Sequence, residues 1–429
     1  MIKPYLYVLL FSFAFIFVSC KKFVTNVDPP INEIEDSQLN NESQLPFLIN
    51  GVEIQFAAAF SETDVCAADL SDAFFYDSNV PTETATEFEN INLAKILLTN
   101  GLVGNDYEKV GQLRYYADDL IRRTNSITVH DTALKNRALF TGYFYGGFAR
   151  YMYAAFFGLS QTEGGSPINN GPFIGSDNMY ELAIDRFKES LKYTGDTLTT
   201  KTVNSVIARA YLYKGGFSSY DSASMFAIKG LSSGDPDFTT IDGNNFWWNY
   251  VSKDFLLEMV ADNRFQKYID ADSNESKRIE LDTVQVIKDS TVIIDTSAIG
   301  DTTAPEDTTV IEDTTIYYCQ SAYSISSTPV KIITWQENNL MRAELNLRGF
   351  GSDGTSAKEL VNEVRASHSI APLNSVDLDT IYVERDKELF PSGNRLVDER
   401  RFNRWHLGSG TWEYLPIPQS ERDGNPNIN

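Results

Sequence analysis

The stretch ALKNRALFTGYFYGGFARYMYAAFFG, residues 133–158, decides the fold. Phe140, Phe144, Phe148 and Tyr151 recur at i, i+4, i+8 and i+11, which is one face of an α-helix. Tyr143, Tyr145, Tyr153, Phe156 and Phe157 cover the other faces. A helix that is apolar all round is a buried helix. Gly142, Gly146 and Gly147 take side chains away from three of its positions, which lets neighbouring helices come close.

Outward from this segment, the helical period recurs. Residues 44–72 carry Leu45, Leu48, Ile49, Val52, Phe56, Ala59 and Phe60 at helical spacing, and Glu87–Asn100 and Asp106–Ser126 repeat the pattern. Tyr180–Tyr193 and Thr202–Lys214 follow as an antiparallel pair that stops at Gly215-Gly216. Trp335–Arg348 and Ser356–His368 form another pair. Helix, short turn, helix, repeated, predicts a mainly all-α solenoid of tetratricopeptide-like pairs, although no clean repeat consensus is present. GFGSDG, residues 349–354, matches G-x-G-x-x-G but follows a helix instead of a strand. It therefore reads as a helix stop, with Ser356-x-x-Glu359 opening the next helix as a capping box.

One segment departs from this period. Residues 282–316 are rich in Thr, Val and Ile, with Asp289, Asp295, Asp301, Asp307 and Asp313 every sixth residue, each followed by Ser or Thr. In one extended strand all five would share a face. The segment reads as a small β-rich insertion, a solvated hairpin or loop. Calcium binding and O-glycosylation at the Asp-Ser/Thr pairs are its alternative uses.

The front of the chain is unlike the rest. Lys3 precedes an apolar run from Tyr5 to Val18, too short to span a bilayer and of the length of a signal h-region. It ends in Val18-Ser19-Cys20, so Cys20 is the expected lipid anchor. This divides the chain into a signal peptide (1–19), a lipidated polar tether (20–44) and a helical domain (45–429). The net charge is −23, and removal of 1–19 takes away one Lys and no acid, which leaves −24. Such a balance opposes nucleic-acid binding. Cys66 and Cys319 remain, either bridged or as two buried free thiols.

No serine-nucleophile elbow, zinc-protease helix, phosphate loop or CxxC pair occurs, so no catalytic residue, metal or cofactor is assigned. Asp235, Asp237 and Asp242 share the loop SGDPDFTTIDGNN (233–245), which reads as a metal loop or, more simply, a solvated turn. NNFWWNYV, residues 244–251, puts Trp247 and Trp248 side by side among Asn244, Asn245 and Asn249. In a loop or strand adjacent residues point different ways, so the pair reads either as core or as a stacking platform for sugar rings.

Five segments, in order, resemble the SusD/RagB family of outer-membrane nutrient-binding lipoproteins. They are SCKKF (19–23), NRALFTGYFYGGFARYMYAAFFGLSQTEGGSPI (136–168), TVNSVIARAYLYKG (202–215), ITWQENNLMRAELNLR (333–348), and VERDKELFPSGNRLVDERRFNRW with WEYLPIPQSERDGNPN (383–405 and 412–427). Ser392 departs from the family's usual Glu before Gly393. The resemblance implies a right-handed superhelix of four helix pairs with a loop-rich binding face. It also implies that the Pro-rich tail lies extended along the helical body with Leu415 and Ile417 buried. It further implies a non-enzymatic surface lipoprotein that captures oligosaccharides, or peptides in the RagB branch, for a SusC-like TonB-dependent transporter. By position it places a ligand site in LSDAFFYDSNVP (70–81), at Tyr76 and Asn79, beside a loop carrying Trp247, Trp248 and Tyr250. A surface glycosidase or peptidase and a protein scaffold are the competing readings.

Overall fold

The computed structural model describes residues 36–80, 85–241, 245–252, 257–294, 308–351 and 353–428. Its helices are α1 (Leu45–Leu70), α2 (Ala85–Asn92), α3 (Gly101–Ser126), α4 (Thr132–Phe156), α5 (Ser176–Ser190), α6 (Thr197–Lys214) and α7 (Phe217–Ala227). After them come α8 (Phe246–Val251), α9 (Asn263–Ala271), α10 (Trp335–Leu347), α11 (Ala357–Ser367), α12 (Leu378–Glu388), α13 (Asn394–Arg401) and α14 (Gln419–Gly424). Strands β1 (Phe74–Phe75), β2 (Val260–Ala261), β3 (Leu281–Ile294) and β4 (Thr308–Gln320) form one sheet in the order β1-β2-β4-β3.

Short polar side chains set the helix starts. Asn100 accepts from the Val103 N–H, Asp131 from Ala133 and Leu134, and Asp196 from Thr199. The predicted capping box at Ser356 and Glu359 forms. The preceding glycine turn also acts as expected. Gly349 has φ +87°, and the Phe350 N–H reaches the Leu345 carbonyl at 2.8 Å, which closes α10 in a Schellman turn. The helix expected over Glu87–Asn100 is shorter, because the chain leaves it at Asn92 and Ala94 turns left-handed at φ +49°.

The quoted segment is α4, and its Phe144, Phe148 and Tyr151 are buried. Its glycines do what their lack of a side chain permits. A Cβ at Gly142 would sit 2.6 Å from Ile121 of α3, and one at Gly147 would sit 2.6 Å from the Phe187 ring of α5. Both neighbours therefore pack directly on the α4 backbone. The run continues helix on helix: α3 on α4, α4 on α5, α5 on α6, α6 on α7, then α7 on α10 and α10 on α11. The step from α7 to α10 joins helices separated by residues 228–334. The solenoid is broken in the sequence and continuous in space.

That interruption includes the β-rich insertion. It folds back as a hairpin, so the row of five Asp on one strand face does not form. Instead Asp289 pairs with Asp313 across β3 and β4. Asp295, Asp301 and Asp307 lie outside the described residues, as does Asp242. The hairpin base belongs to the body. Tyr317 and Cys319 are buried, and the Gln320 amide donates to the Val251 carbonyl at 3.2 Å. Cys66 and Cys319 are both buried and are not joined to each other.

The expected tether also needs correction at its end. Residues 36–44 are docked on the body, with Arg123 paired to Asp36 and donating to Asn40 Oδ1 at 2.9 Å. Glu42 accepts from the backbone N–H groups of His130 and Asp131, and these hold its carboxyl down at about 2. Cys20 and the signal segment lie outside the described residues.

The segments quoted for the resemblance meet inside the molecule. Arg209 (α6) pairs with Glu337 (α10) at 3.2 Å, both buried. Arg385 (α12) pairs with Asp398 (α13) at 2.7 Å, and Arg401 (α13) with Glu344 (α10) at 2.5 Å. Arg385 also donates to the Tyr213 hydroxyl at 3.0 Å. The guanidinium of Arg401 holds the buried Glu344 carboxyl below its usual range, against desolvation. These pairs are desolvated, so removal of one partner would strand the other. The tail lies where expected. Leu415 and Ile417 are fully buried, and Leu415-Pro416 pairs in parallel with Phe157-Gly158 at the end of α4. The Ile417 N–H donates to the Gly158 carbonyl at 2.9 Å. Proline removes a donor the strip does not need and holds it extended.

Candidate functional site

The loop after α1 is held from two sides. Asn92, the last residue of α2, accepts from the Tyr76 N–H at 3.1 Å and donates to the carbonyls of Asp69 and Phe74, both at 3.1 Å. Asp77 then builds a tight turn. Its Oδ1 accepts from the Asn79 N–H at 2.8 Å and from the Asn79 side chain at 2.5 Å, and its Oδ2 accepts from the Tyr317 hydroxyl at 2.8 Å. The base of the β-hairpin thus anchors the loop that carries Tyr76 and Asn79.

An open cleft of about 360 Å³ results, lined by Tyr76, Asp77, Ser78, Glu89, Asn92 and Leu93. It combines a half-buried phenol, an exposed leucine, an amide, a hydroxyl and two carboxylates. Partial desolvation, then the carboxylates of Glu89, Glu258 and Asp77, push the Tyr76 phenol up, so it stays a neutral donor near neutral pH. Glu89, Asn92 and Leu93 were not among the residues expected here. Their signal in the sequence is the i, i+3, i+4 spacing at the end of α2, which no motif marked.

Residues 246–251 are a short helix, α8, and not the loop or strand that the adjacent tryptophans suggested. Asn245 caps it by accepting from the Trp248 N–H at 3.2 Å. On a helix, neighbours at 100° still part company. Trp247 turns inward and is 0% exposed, with its indole N–H donating to Asp64 at 3.1 Å. Its ring packs on Phe74 at 5.4 Å and Tyr323 at 6.1 Å. Trp247 is therefore a core residue and offers no face to a ligand, a correction to the platform expectation. Trp248 is half-buried. Tyr250 is half-buried too, between Phe88 of α2 at 5.4 Å and Phe246 at 5.7 Å. Burial is the main reason its phenol is raised, and Glu258 adds to it.

The structure does bring the two expected segments to one place. Phe74 touches Trp247, and α2 stands between Tyr250 on Phe88 and the cleft residues Glu89 and Asn92. Tyr76 and Tyr250 both feel the Glu258 carboxylate. Among the described residues no group of His, Cys, Asp and Glu is arranged to hold a metal. Asp235, one of the loop carboxylates, is instead paired with Lys201 at 2.8 Å.

No family model matches the chain, and no curated protein matches it by sequence. Solved structures do. A SusD superfamily protein from Bacteroides thetaiotaomicron VPI-5482 is 17% identical, with a TM-score of 0.65 over 90% of this chain and 98% of that one. NanU of B. fragilis is 15% identical, with a TM-score of 0.67 over 94% of this chain and 99% of its own. A surface glycan-binding protein A from Bacteroides thetaiotaomicron, solved with laminarihexaose, is 14% identical, with a TM-score of 0.63 over 90% and 98%. With its solenoid continuous in space, its buried pairs between α6, α10, α12 and α13, and its tail laid along α4, this chain has the SusD-like fold.

Proposed function

We propose that the protein is a surface lipoprotein, anchored through lipid on Cys20 in the outer membrane, that binds nutrient oligosaccharides and passes them to a SusC-like TonB-dependent transporter. The observation that carries the reading is the Tyr76 cleft. An aromatic ring, a hydroxyl and two carboxylates converge there from α2 and from a loop anchored by Asn92 and Tyr317. Aromatic faces take the C–H side of a sugar ring, and amides and carboxylates take its hydroxyls. Glycan binding by proteins of the same fold, such as the laminarihexaose complex, supports it. The role is one of capture and not of catalysis. The test is a panel of oligosaccharides and a peptide pool, offered to the full chain in mild detergent with Tyr76→Ala and Asn79→Ala alongside. By analogy with base stacking at about 1–3 kcal/mol per ring, Tyr76→Ala weakens glycan binding roughly 5- to 150-fold. Unchanged affinity in both variants ends the assignment of this cleft, and binding confined to peptides ends the glycan reading. Delivery is tested by co-purification with the transporter, and a chain that never co-purifies rejects that part.

A further inference from the structure

We propose a second binding groove, for a neutral oligosaccharide, between α3, the turn at 167–171 and the C-terminal tail. Its space is about 690 Å³. Tyr115 and Tyr116 on α3 line it and are 57% and 44% exposed, with ring centroids 6.1 Å apart and planes at 62°. Both keep about half of their surface open to solvent within this concave surface. They are flat apolar faces with hydroxyl tips, available to a ligand. The floor is Tyr107 and Tyr153, with the Tyr107 hydroxyl bonded to Ser166 at 2.8 Å. Gly111 keeps that floor open, since a Cβ there would lie 3.2 Å from the Tyr153 hydroxyl.

The facing wall is built in advance. Asn169 and Asn170 both adopt left-handed backbone, at φ +53° and +54°. The tail locks this turn: the Asn427 amide donates to the Asn170 carbonyl at 2.8 Å, and the fully buried Asn425 donates to the Gly171 carbonyl at 3.0 Å. Arg114 reaches across and donates to Asn169 Oδ1 at 2.7 Å. The turn is held in place by these bonds, and a wall held in place lowers the ordering cost of binding.

Charge and backbone select the ligand class. The charged groups lining the groove are Glu108, Glu421 and Arg114, net −1, in a chain of −23. That disfavours an anionic ligand and leaves hydroxyl partners. A peptide held by strand addition would need a free strand edge. The wall residue that comes from a strand, Pro167, has no N–H to offer.

The groove shares none of its lining residues with the Tyr76 cleft. Its test uses the full chain in mild detergent, an array of laminarihexaose, maltohexaose, cellohexaose, xylohexaose and mannohexaose, and a hexapeptide pool. Two independent changes probe it: the double variant Tyr115→Ala/Tyr116→Ala, and Ser420→Trp, which sets an indole at the exposed rim. Both leave Tm unchanged, and each lowers retention of at least one hexasaccharide tenfold or more, while Tyr76→Ala spares that fraction. The proposal is overturned if both variants retain every hexasaccharide as wild type does, if wild type retains none, or if the binding lost is to peptides. Loss in Tyr76→Ala with both groove variants intact keeps the cleft and removes the groove, and the reverse removes the cleft.

Discussion

Asp64 on α1 is a carboxyl placed in the core to hold two things. It accepts from the Gly393 N–H at 2.8 Å and from the Trp247 indole at 3.1 Å. Gly393 has no room for a side chain, since a Cβ would lie 2.7 Å from Ala67. Burial pushes the Asp64 carboxyl from its ordinary 3.8 up to about 7, more than the two donors pull it down. The sign follows from linkage. A raised carboxyl means the folded state holds the proton more tightly, so this group's contribution is full below pH 3.8 and is lost as pH rises through about 7. Asp64→Asn removes the titration at every pH and keeps one of the two acceptors, so it costs a fixed amount that does not vary with pH. Its Tm relative to wild type therefore improves between pH 4 and about pH 7 and levels off above that, read by circular dichroism, and a gap independent of pH contradicts the assignment. For Trp247→Ala the loss is one of packing, at about 3–5 kcal/mol of stability in denaturant unfolding. Glycan affinity of the fraction still folded stays at the wild-type value, whereas a variant that melts normally and binds poorly would restore the indole to the ligand site.

At the scale of elements, the β3–β4 hairpin has two parts with different jobs. Its base touches the body through buried Tyr317 and Gln320 and through Val284 and Val286, which pack with Val80 and Val260. Beyond that, β3 and β4 pair with each other as far as Ile294 and Thr308. Deletion of 287–314 with a short Gly-Ser turn in its place keeps the base residues Val284, Val286, Tyr317 and Gln320, and closing or opening a surface loop costs little entropy. Helical content and unfolding midpoint then stay within the error of the wild type. A deletion carried through to 320 takes away the phenol that holds Asp77 and the amide that holds α8, so the shorter variant folds and the longer one melts early. Equal melting of the two would show that the base contributes nothing.

The whole molecule sits on a membrane only through its first residues in the proposed function. No helix among the described residues is long and apolar enough to cross a bilayer. The lipid on Cys20 then carries the attachment, at about 0.8 kcal/mol per buried methylene. Growth with an alkyne-tagged palmitate labels the wild-type protein and leaves Cys20→Ala unlabelled. The variant also leaves the membrane pellet after a carbonate wash. Label on Cys20→Ala, or its retention in the pellet, rules the anchor out.

Several features were legible in the sequence because they are local. The period of α4 and its bare glycines, the capping box at Ser356 and the stop at Gly349 each depend on residues a few positions apart, whereas the caps at Asn100 and Asp131 went unread. The extended strip at Leu415–Ile417 came from the family resemblance, with Pro416 and Pro418 holding it extended, whereas the short helix α14 that follows it was not foreseen. What tertiary structure alone decided depends on partners far away in the chain. It set Arg209 against Glu337 and Arg385 against Asp398, and it joined α7 to α10 across residues 228–334. The hairpin turned a row of Asp into the facing pair Asp289 and Asp313. Trp247 and Trp248 show the same division at the site. Two identical adjacent residues carry no local signal for which goes inward. Asp64 and Phe74, far from them in sequence, settle it by offering one indole a hydrogen-bond acceptor and a ring to pack on.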